Sequence, residues 1–380
     1  MDSLTHIALG AAVGTAVLGR KAGPRAAVWG AACATLPDLD VLLSHGDPVR
    51  DFTFHRAETH SLFWLTLASP LIALGIARLS RAAGATFRQW WLLVWLALIT
   101  HPLLDAFTVY GTQLLLPFSD HPVGLGSIFI IDPLYTTPLL IGVTAALWSQ
   151  SRRARGGGAD TLSRWNPAGL ALSSLYLAWT VVAQSHVATA VQRSLAGTPL
   201  AAGNLLVTPT PFNSLLWRVV VMEPRGYHEG LRSIFDGPAG TALTRHPSAP
   251  ELLAGLEGEW SVQRLAWFTK GFYAVTEAEV DAPVARHSSS SMRQLFGAVE
   301  TASAASLSTG PQGAPIVMTD LRMGQTPWFV FSFIVGKRDG EAVWPVPSHQ
   351  LPMQRPPVAT LPFLWQRIWD TNATLQGRQA

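Results

Sequence analysis

Histidine and aspartate recur in the first 105 residues of the chain at spacings that suit a metal site. Asp2 and His6 lie four residues apart, and His101 and Asp105 repeat that spacing, which places the members of each pair on one face of a helix. Two further groups of the same residue types lie between these pairs, at Asp38, Asp40, His55 and His60. Because imidazole and carboxylate groups are the common ligands of divalent cations, the pattern predicts a metal site.

The predicted ligands outnumber the four that a single tetrahedral ion needs. The full predicted set is His6, Asp38, Asp40, His55, His60, His101 and Asp105. We therefore expect one or two divalent ions, with Zn²⁺ favoured and Mn²⁺ or Fe²⁺ as alternatives. Such a centre lowers the pKa of bound water, supplies hydroxide and holds the oxygens of a phosphoryl or acyl group. The chemistry predicted is metal-assisted hydrolysis.

Further polar residues near these ligands are candidates for the catalytic step, and each has a structural alternative. Arg56 could neutralise a substrate phosphate, or it could place a positive charge at the lipid headgroups. Glu58 could act as a base or be a solvated loop carboxylate. Asp132 could contact substrate or support a ligand, but it could also cap the helix that begins after it. Asp2 could orient His6 or cap the first helix.

The composition predicts a membrane domain. Of the 380 residues, 48% are hydrophobic and 13% are charged, which is about half the charged share of ordinary soluble domains, and the mean hydropathy is +0.25. The 27 basic and 24 acidic residues leave a net charge of only +3, which argues against a nucleic-acid partner. Cys33 is the only cysteine, so the chain forms no internal disulfide.

Six apolar runs lie in the first half of the chain, at residues 7–19, 26–36, 62–79, 90–99, 134–148 and 168–187. Three of them approach the ~20 residues that cross a bilayer, whereas the shorter ones also suit buried core helices of a soluble protein. Because the runs are rich in Gly, Ala and Pro, which suits closely packed membrane helices, we expect a polytopic α-helical membrane domain. Its predicted extent is residues 1–190, with about six helices.

Basic residues lie in alternate connections between these runs. They are Arg20, Lys21, Arg25, Arg78, Arg81, Arg88, Arg152, Arg153, Arg155 and Arg164. The positive-inside rule assigns these connections to the cytoplasm and both chain termini to the other side. Every predicted ligand then falls on the extracytoplasmic side, so residues far apart in the sequence meet at one depth.

The pattern changes after about residue 204. Short β-rich stretches separated by Pro and Gly follow, for example at residues 215–222, 260–275 and 328–335, and such alternation predicts strands joined by turns. We expect a β-rich α+β extracytoplasmic domain over residues 200–380 that covers or gates the metal centre.

Several of these motifs resemble those of a known family. The segments are Met1-Asp2-Ser3-Leu4-Thr5-His6, Leu36-Pro37-Asp38-Leu39-Asp40, the stretch His55 to Ser61 and Thr100-His101-Pro102-Leu103-Leu104-Asp105. They are similar to the motifs of the YdjM family of bacterial inner-membrane proteins. Members of that family are described as predicted metal-dependent hydrolases. The resemblance extends to about residue 220 and implies a location in the inner (cytoplasmic) membrane.

Together these patterns predict a membrane-embedded metal-dependent hydrolase in which metal-bound hydroxide attacks an ester or phosphoester. The predicted depth at the outer headgroups favours a membrane lipid or a lipid-linked substrate. The alternative is a non-catalytic metal-binding or transport membrane protein. A transporter needs polar residues through the whole bilayer, and the cytoplasmic halves of these helices contain almost none, which favours the enzyme. An interaction protein that has lost catalysis is a third possibility.

Overall fold

A computed structural model of the chain describes residues 1–80, 84–155, 164–238, 240–278, 313–353, 355–358 and 360–373. Arg81 and the side chain of Arg153, two of the basic residues used to predict orientation, lie outside this description. The described part consists of a helical N-terminal region and a β-rich C-terminal region, as the sequence predicts.

The N-terminal region is built from long helices joined by short connections. The helices are α1 (Ser3–Ala22), α2 (Pro24–Thr35), α3 (Pro48–Phe54), α4 (Leu62–Leu79), α5 (Phe87–Asp105), α6 (Pro133–Ala154) and α7 (Trp165–Leu195). Two 3₁₀ turns, Pro37–Leu42 and Glu58–His60, lie between α2 and α4. The six longer helices coincide with the six apolar runs, whereas the short helix α3 was not predicted.

Two of the described helices, α4 and α7, are long and apolar enough to cross a membrane. The expectation of about six such helices is therefore not met by length and composition. Helix α2 has 12 residues and is about 18 Å long, which is shorter than the ~30 Å hydrocarbon core of a bilayer. Helix α1 ends in Arg20 and Lys21, and these charges lower its mean hydropathy.

Helices α1 and α2 approach each other at glycine. A Cβ atom on Gly10 would lie 2.4 Å from the carbonyl oxygen of Gly30, and one on Gly14 would lie 2.1 Å from that of Ala26. Helices α6 and α7 make a similar contact, since a Cβ on Gly169 would lie 2.3 Å from the carbonyl oxygen of Pro138. Small residues at such crossings let helix backbones pack closely, as is typical of helices in membranes.

The C-terminal region contains two four-stranded antiparallel sheets. Its strands are β1 (Leu205–Pro209), β2 (Leu216–Glu223), β3 (Gly226–Ser233), β4 (Thr244–Pro247), β5 (Tyr273–Glu277), β6 (Ala314–Asp320), β7 (Gly324–Gln325), β8 (Trp328–Phe329), β9 (Ser332–Asp339) and β10 (Ala342–Gln350). The sheet orders are β1-β2-β3-β4 and β10-β9-β6-β5, and β7 pairs with β8. Helices α8 (Trp260–Phe268) and α9 (Thr360–Trp369) complete the described part of this region.

Helix α3 joins the two regions, because its apolar side belongs to the core of the second sheet. Phe52 packs there against Tyr110, Phe268 and Phe333. Arg322, which is paired with a buried aspartate in the same region, donates a 2.9 Å hydrogen bond to the carbonyl oxygen of Tyr110. The β-rich region is thus anchored directly to the segments that flank the predicted metal ligands.

Candidate metal centre

Four of the seven predicted ligands converge on one point. Asp38 lies on the 3₁₀ turn after α2, His60 ends the turn before α4, and His101 and Asp105 lie on the last turn of α5. One potential ligand atom from each residue lies within 4.8 Å of the others. Three separate chain segments therefore bring two imidazoles and two carboxylates together, a donor set that suits a divalent cation.

Five of the distances between these donor atoms match the edges of a tetrahedral site. His60 Nε2 lies 3.1 Å from His101 Nε2 and 3.4 Å from Asp38 Oδ1. His101 Nε2 lies 3.3 Å from both Asp38 Oδ1 and Asp105 Oδ2, and His60 Nε2 lies 3.5 Å from Asp105 Oδ2. Donors about 2.0–2.1 Å from a central Zn²⁺ form a tetrahedron with edges of about 3.3–3.4 Å. Five of the six edges of this cluster are close to that length.

Hydrogen bonds on the far side of both rings direct the Nε2 atoms toward the cluster. His101 Nδ1 donates to the carbonyl oxygen of Ala34 at 2.6 Å, so the neutral ring carries its lone pair on Nε2. The Thr59 hydroxyl donates to Asp40 Oδ2 at 2.8 Å and lies 3.0 Å from His60 Nδ1. Its remaining capacity is to accept from His60. Such outer hydrogen bonds are typical of metal-ligating histidines.

The cluster contains a buried carboxylate oxygen that accepts no hydrogen bond from the described residues. His60, His101 and Asp105 are fully buried, and Asp105 Oδ2 is the oxygen in question. Burial of an unsatisfied charged atom is costly, and with neutral imidazoles the facing lone pairs add repulsion. A positive charge between the donors removes both costs, so the residues present fit a divalent ion.

Asp40 and His55 lie outside the cluster and support it. Asp40 accepts hydrogen bonds from His55 Nδ1 at 2.9 Å and from the backbone N–H of Arg56 at 3.0 Å. Burial opposes ionisation of Asp40, but the hydrogen bond and charge of His55 outweigh it, and the pKa of Asp40 lies below its ordinary value. Asp40 is therefore an anionic acceptor that holds the loop before His60.

His6 lies on the opposite side of Asp105. Its Nε2 atom is 3.3 Å from Asp105 Oδ1, and its ring stacks on that of His101 with 3.6 Å between the centroids. The α-amino group of Met1 also contacts Asp105 Oδ1. The structure therefore places His6 at Oδ1 of Asp105, whereas His60 and His101 face Oδ2 of the same carboxylate.

Arg56 is held against the same oxygen. Its Nη2 lies 3.2 Å from Asp105 Oδ1, and its Nη1 donates to Thr108 Oγ1 at 3.2 Å. The guanidinium lies over the Tyr110 ring at 5.0 Å. Its backbone φ of 64° is unusual for a residue with a side chain and signals local strain. A conformation maintained against strain, with the charge directed at Asp105, indicates a positioning function near the centre.

The remaining candidates, Glu58, Asp132 and Asp2, are not among the four converging donors. Glu58 is exposed. Asp132 accepts hydrogen bonds from the backbone of Leu134 and from the hydroxyl of Tyr176, which are the contacts of a cap on α6. Asp2 caps α1 through the backbone N–H of Thr5. These contacts are those of the structural alternatives, and a role for Glu58 or Asp132 in catalysis stays a prediction.

Two contributors were not anticipated. Thr59 links His60 to Asp40, and the carbonyl of Ala34 orients His101. A hydroxyl directly before a ligating histidine is a signal that could have identified Thr59. A backbone carbonyl 67 residues away in sequence leaves no such signal, because every residue carries one.

The centre is open at Asp38. The side chain of Asp38 is 26% exposed, whereas those of His60, His101 and Asp105 are fully buried. The same stretch of chain exposes Leu39, which neighbours Asp38 directly, and other large apolar side chains, namely Val41, Leu42 and Leu43. The exposed donor of the cluster, Asp38, therefore lies next to an apolar surface.

Comparisons with known proteins cover mainly the helical region. A family model described as YdjM inner membrane protein matches residues 1–187. The chain is 33% identical over 159 residues to the uncharacterized protein YfhP of Bacillus subtilis, covering 39% of this chain and 46% of that protein. It is also 33% identical over 120 residues to the inner membrane protein YbcI of Escherichia coli, covering 31% and 68% respectively. The chain thus spans about half of YfhP and two thirds of YbcI. No solved structure matches.

Proposed function

The chain belongs to the YdjM family of inner membrane proteins, and from this premise we propose that it is a membrane-embedded metal-dependent hydrolase. Asp38, His60, His101 and Asp105 hold the ion. The observation that carries this proposal is the near-tetrahedral spacing of their donor atoms, with five edges between 3.1 and 3.5 Å. Zn²⁺ fits that spacing best.

We propose one ion at this centre rather than two. Asp105 Oδ1 already faces the guanidinium of Arg56 at 3.2 Å, and a second cation there would meet a fixed positive charge in a buried place. His6 shares that side of Asp105. In this proposal Arg56 and His6 hold Asp105 in orientation, and Asp40 orients His60 through Thr59.

A divalent ion supplies Lewis acidity, which activates water and polarises a phosphoryl or acyl oxygen. The protein contributes three fully buried donors and one partly exposed donor, Asp38. Because the same stretch of chain exposes leucines, at Leu39, Leu42 and Leu43, a substrate with an apolar part gains from burying it there. We therefore propose an ester or phosphoester of a membrane lipid or lipid-linked molecule.

A second candidate, a non-catalytic metal-binding or transport membrane protein, is favoured by one observation. His60, His101 and Asp105 are fully buried, and closed sites are typical of structural metals. The partial exposure of Asp38 favours the enzyme.

Metal binding tests the centre. The purified protein should bind about one Zn²⁺ per chain, and His60→Ala should weaken binding by at least about 100-fold, since even supporting residues of metal sites are worth 10–100-fold. His45→Ala is the matched control, because His45 is an exposed histidine paired with Asp51 at 3.2 Å. Equal affinity in both variants would remove the assigned ligands.

Hydrolysis separates the two candidates. The zinc-loaded protein in lipid nanodiscs should cleave a fluorogenic phospholipid faster than a short water-soluble ester of the same leaving group, and His60→Ala should abolish both rates. Tight metal binding without cleavage of either substrate would favour the non-catalytic candidate.

We further propose that the helical region, which contains the two candidate membrane spans α4 and α7, lies in the inner membrane, with both chain termini and the β-rich region on the extracytoplasmic side. The basic ends of helices such as α1, at Arg20 and Lys21, support this orientation. A membrane-impermeant maleimide should label Glu341→Cys in spheroplasts and Arg20→Cys only after lysis. Both positions are exposed, whereas the native Cys33 is buried. The reverse accessibility would overturn the orientation.

A further inference from the structure

Helix α9 is apolar on its exposed side as well as on its buried side. Its water-facing side carries Leu361, Trp365 and Trp369, spaced four residues apart, so that they form one stripe. Its only charged residue, Arg367, is buried and pairs with Asp236 at 2.7 Å. A surface helix normally places charge outward and apolar residues inward. The exposed stripe therefore indicates a surface that meets something other than water.

A neighbouring turn extends this stripe. Phe235, which follows β3, stacks on Trp369 with 5.2 Å between ring centroids. Trp369 in turn meets the ring of Trp365 at 6.3 Å. The three rings are 57%, 60% and 62% exposed respectively. We call Phe235, Trp365 and Trp369 the aromatic platform.

Strand register places the aromatic platform at one end of the first sheet. Leu216 begins β2 and pairs with Ser233 at the end of β3. The backbone N–H of Ile234 donates a hydrogen bond to the carbonyl oxygen of Leu215, and Ser233 Oγ donates one to the carbonyl oxygen of Ile368 in α9. The platform is therefore level with the turn before β2, and the β2–β3 hairpin lies at the opposite end.

That same end of the sheet meets helix α7 at its outer tryptophan. Trp179 Nε1 donates to Ser214 Oγ at 3.1 Å, directly before β2. The exposed apolar side chains of α7 run from Trp165 to Val182, a length of about 26 Å along the axis. This is close to the thickness of the hydrocarbon core. Beyond Val182 the helix packs on the first sheet through Val187 and other buried residues.

The apolar surface continues from the membrane helices to this level. Phe212 of the same turn is exposed and contacts Phe129, 5.9 Å between centroids, just before α6. Leu134 in the first turn of α6 is exposed as well. Tryptophan and other aromatic residues are enriched where proteins meet the membrane interface. The apolar surface of α7 reaches the same end of the first sheet as the aromatic platform, which favours a lipid surface over a protein partner.

We propose that the aromatic platform inserts into the membrane interface and rests the β-rich region on the lipid surface beside α7. The region is then held at two points, by α7 on one side and by the aromatic rings on the other. This inference is independent of the metal centre and of the hydrolase proposal.

Lipid quenching tests the proposal on the full chain in lipid nanodiscs. Trp365→Cys and, separately, Phe235→Cys are labelled with bimane, and phospholipids with a spin label near the headgroup end of the acyl chain serve as quencher. Arg225→Cys is the matched control, because Arg225 lies at the other end of the same sheet in the β2–β3 hairpin and is exposed. The eight residues of β2 separate these ends by about 27 Å.

The expected result is a fall in bimane fluorescence of about twofold or more at both platform positions, since interfacial side chains insert about 5–10 Å, with little change at the control. If neither platform position were quenched, the proposal would be overturned. Equal quenching at all three positions would also overturn it. Shielding of the platform from aqueous iodide without lipid quenching would assign the surface to a protein partner instead.

Discussion

Gly14→Ala should separate α1 from α2 and thereby disturb the metal centre. A Cβ atom at Gly14 would lie 2.1 Å from the carbonyl oxygen of Ala26, while real Cβ contacts below 3.0 Å essentially do not occur. The helix backbones must therefore move apart locally by about 0.9 Å. Gly10 packs just as closely against Gly30 and Ala34, so α1 cannot tilt toward α2 at that point to relieve the clash at Gly14. Forcing extra atoms into a packed interface costs about 1–3 kcal/mol.

The same displacement reaches the ligands. Helix α2 carries Ala34, whose carbonyl oxygen orients His101, and it leads directly into the turn with Asp38. Metal–ligand distances tolerate deviations of about 0.2 Å. A shift several times larger should weaken zinc affinity by about tenfold or more, although Gly14 touches none of the ligands.

Gly75→Ala is the matched control. Gly75 lies in α4, and nothing lies within 4 Å of the place its Cβ would take. Alanine should therefore stabilise this helix by about 0.5–1 kcal/mol. Thermal unfolding in detergent and zinc titration measure both variants. If Gly14→Ala proved as stable as Gly75→Ala and bound zinc like the unmodified chain, the close approach of α1 and α2 would not govern the centre.

Three further outcomes are expected. Asp40→Asn should weaken zinc binding by about 10–100-fold, because it removes the charge that anchors Thr59; an unchanged titration curve would contradict the supporting role. Chelation should lower the unfolding temperature, since an ion at 100 times its Kd stabilises the folded state by about 2.7 kcal/mol; a constant unfolding temperature would show that the purified chain holds no ion. Burial opposes ionisation of Asp236, but hydrogen bonds from Arg367 outweigh it and hold the pKa of Asp236 below its ordinary value. The pair therefore stabilises the fold above about pH 4, and the contribution is lost as pH falls through the folded pKa. Asp236→Asn should flatten the acid-induced loss of stability, and parallel pH profiles would refute this.

The helical part of the fold followed well from local pattern. Apolar runs at residues 62–79 and 168–187 correspond to α4 and α7, because a long uninterrupted apolar segment has few other structures available. The number of helices long and apolar enough to cross the membrane did not follow from the sequence pattern. Helix α2 is too short to span a bilayer by itself, and its close packing with α1 depends on glycine contacts between two helices. The anchoring of α3 in the β-rich core was also unforeseen, since Phe52 finds its partners, such as Phe333, far along the chain.

The candidate site likewise has features that the sequence predicts and features that only the structure shows. The sequence by itself supplied the set of candidate donors, because imidazole and carboxylate groups such as those of His101 and Asp105 are residue types that suit a divalent cation. Only the tertiary structure decided which donors meet. A turn of a few residues directs Asp38 inward and leaves Asp40 to support the loop, while His6 faces the far oxygen of Asp105. Convergence depends on the rotation of each helix and the path of each turn, and those are set by contacts between distant segments.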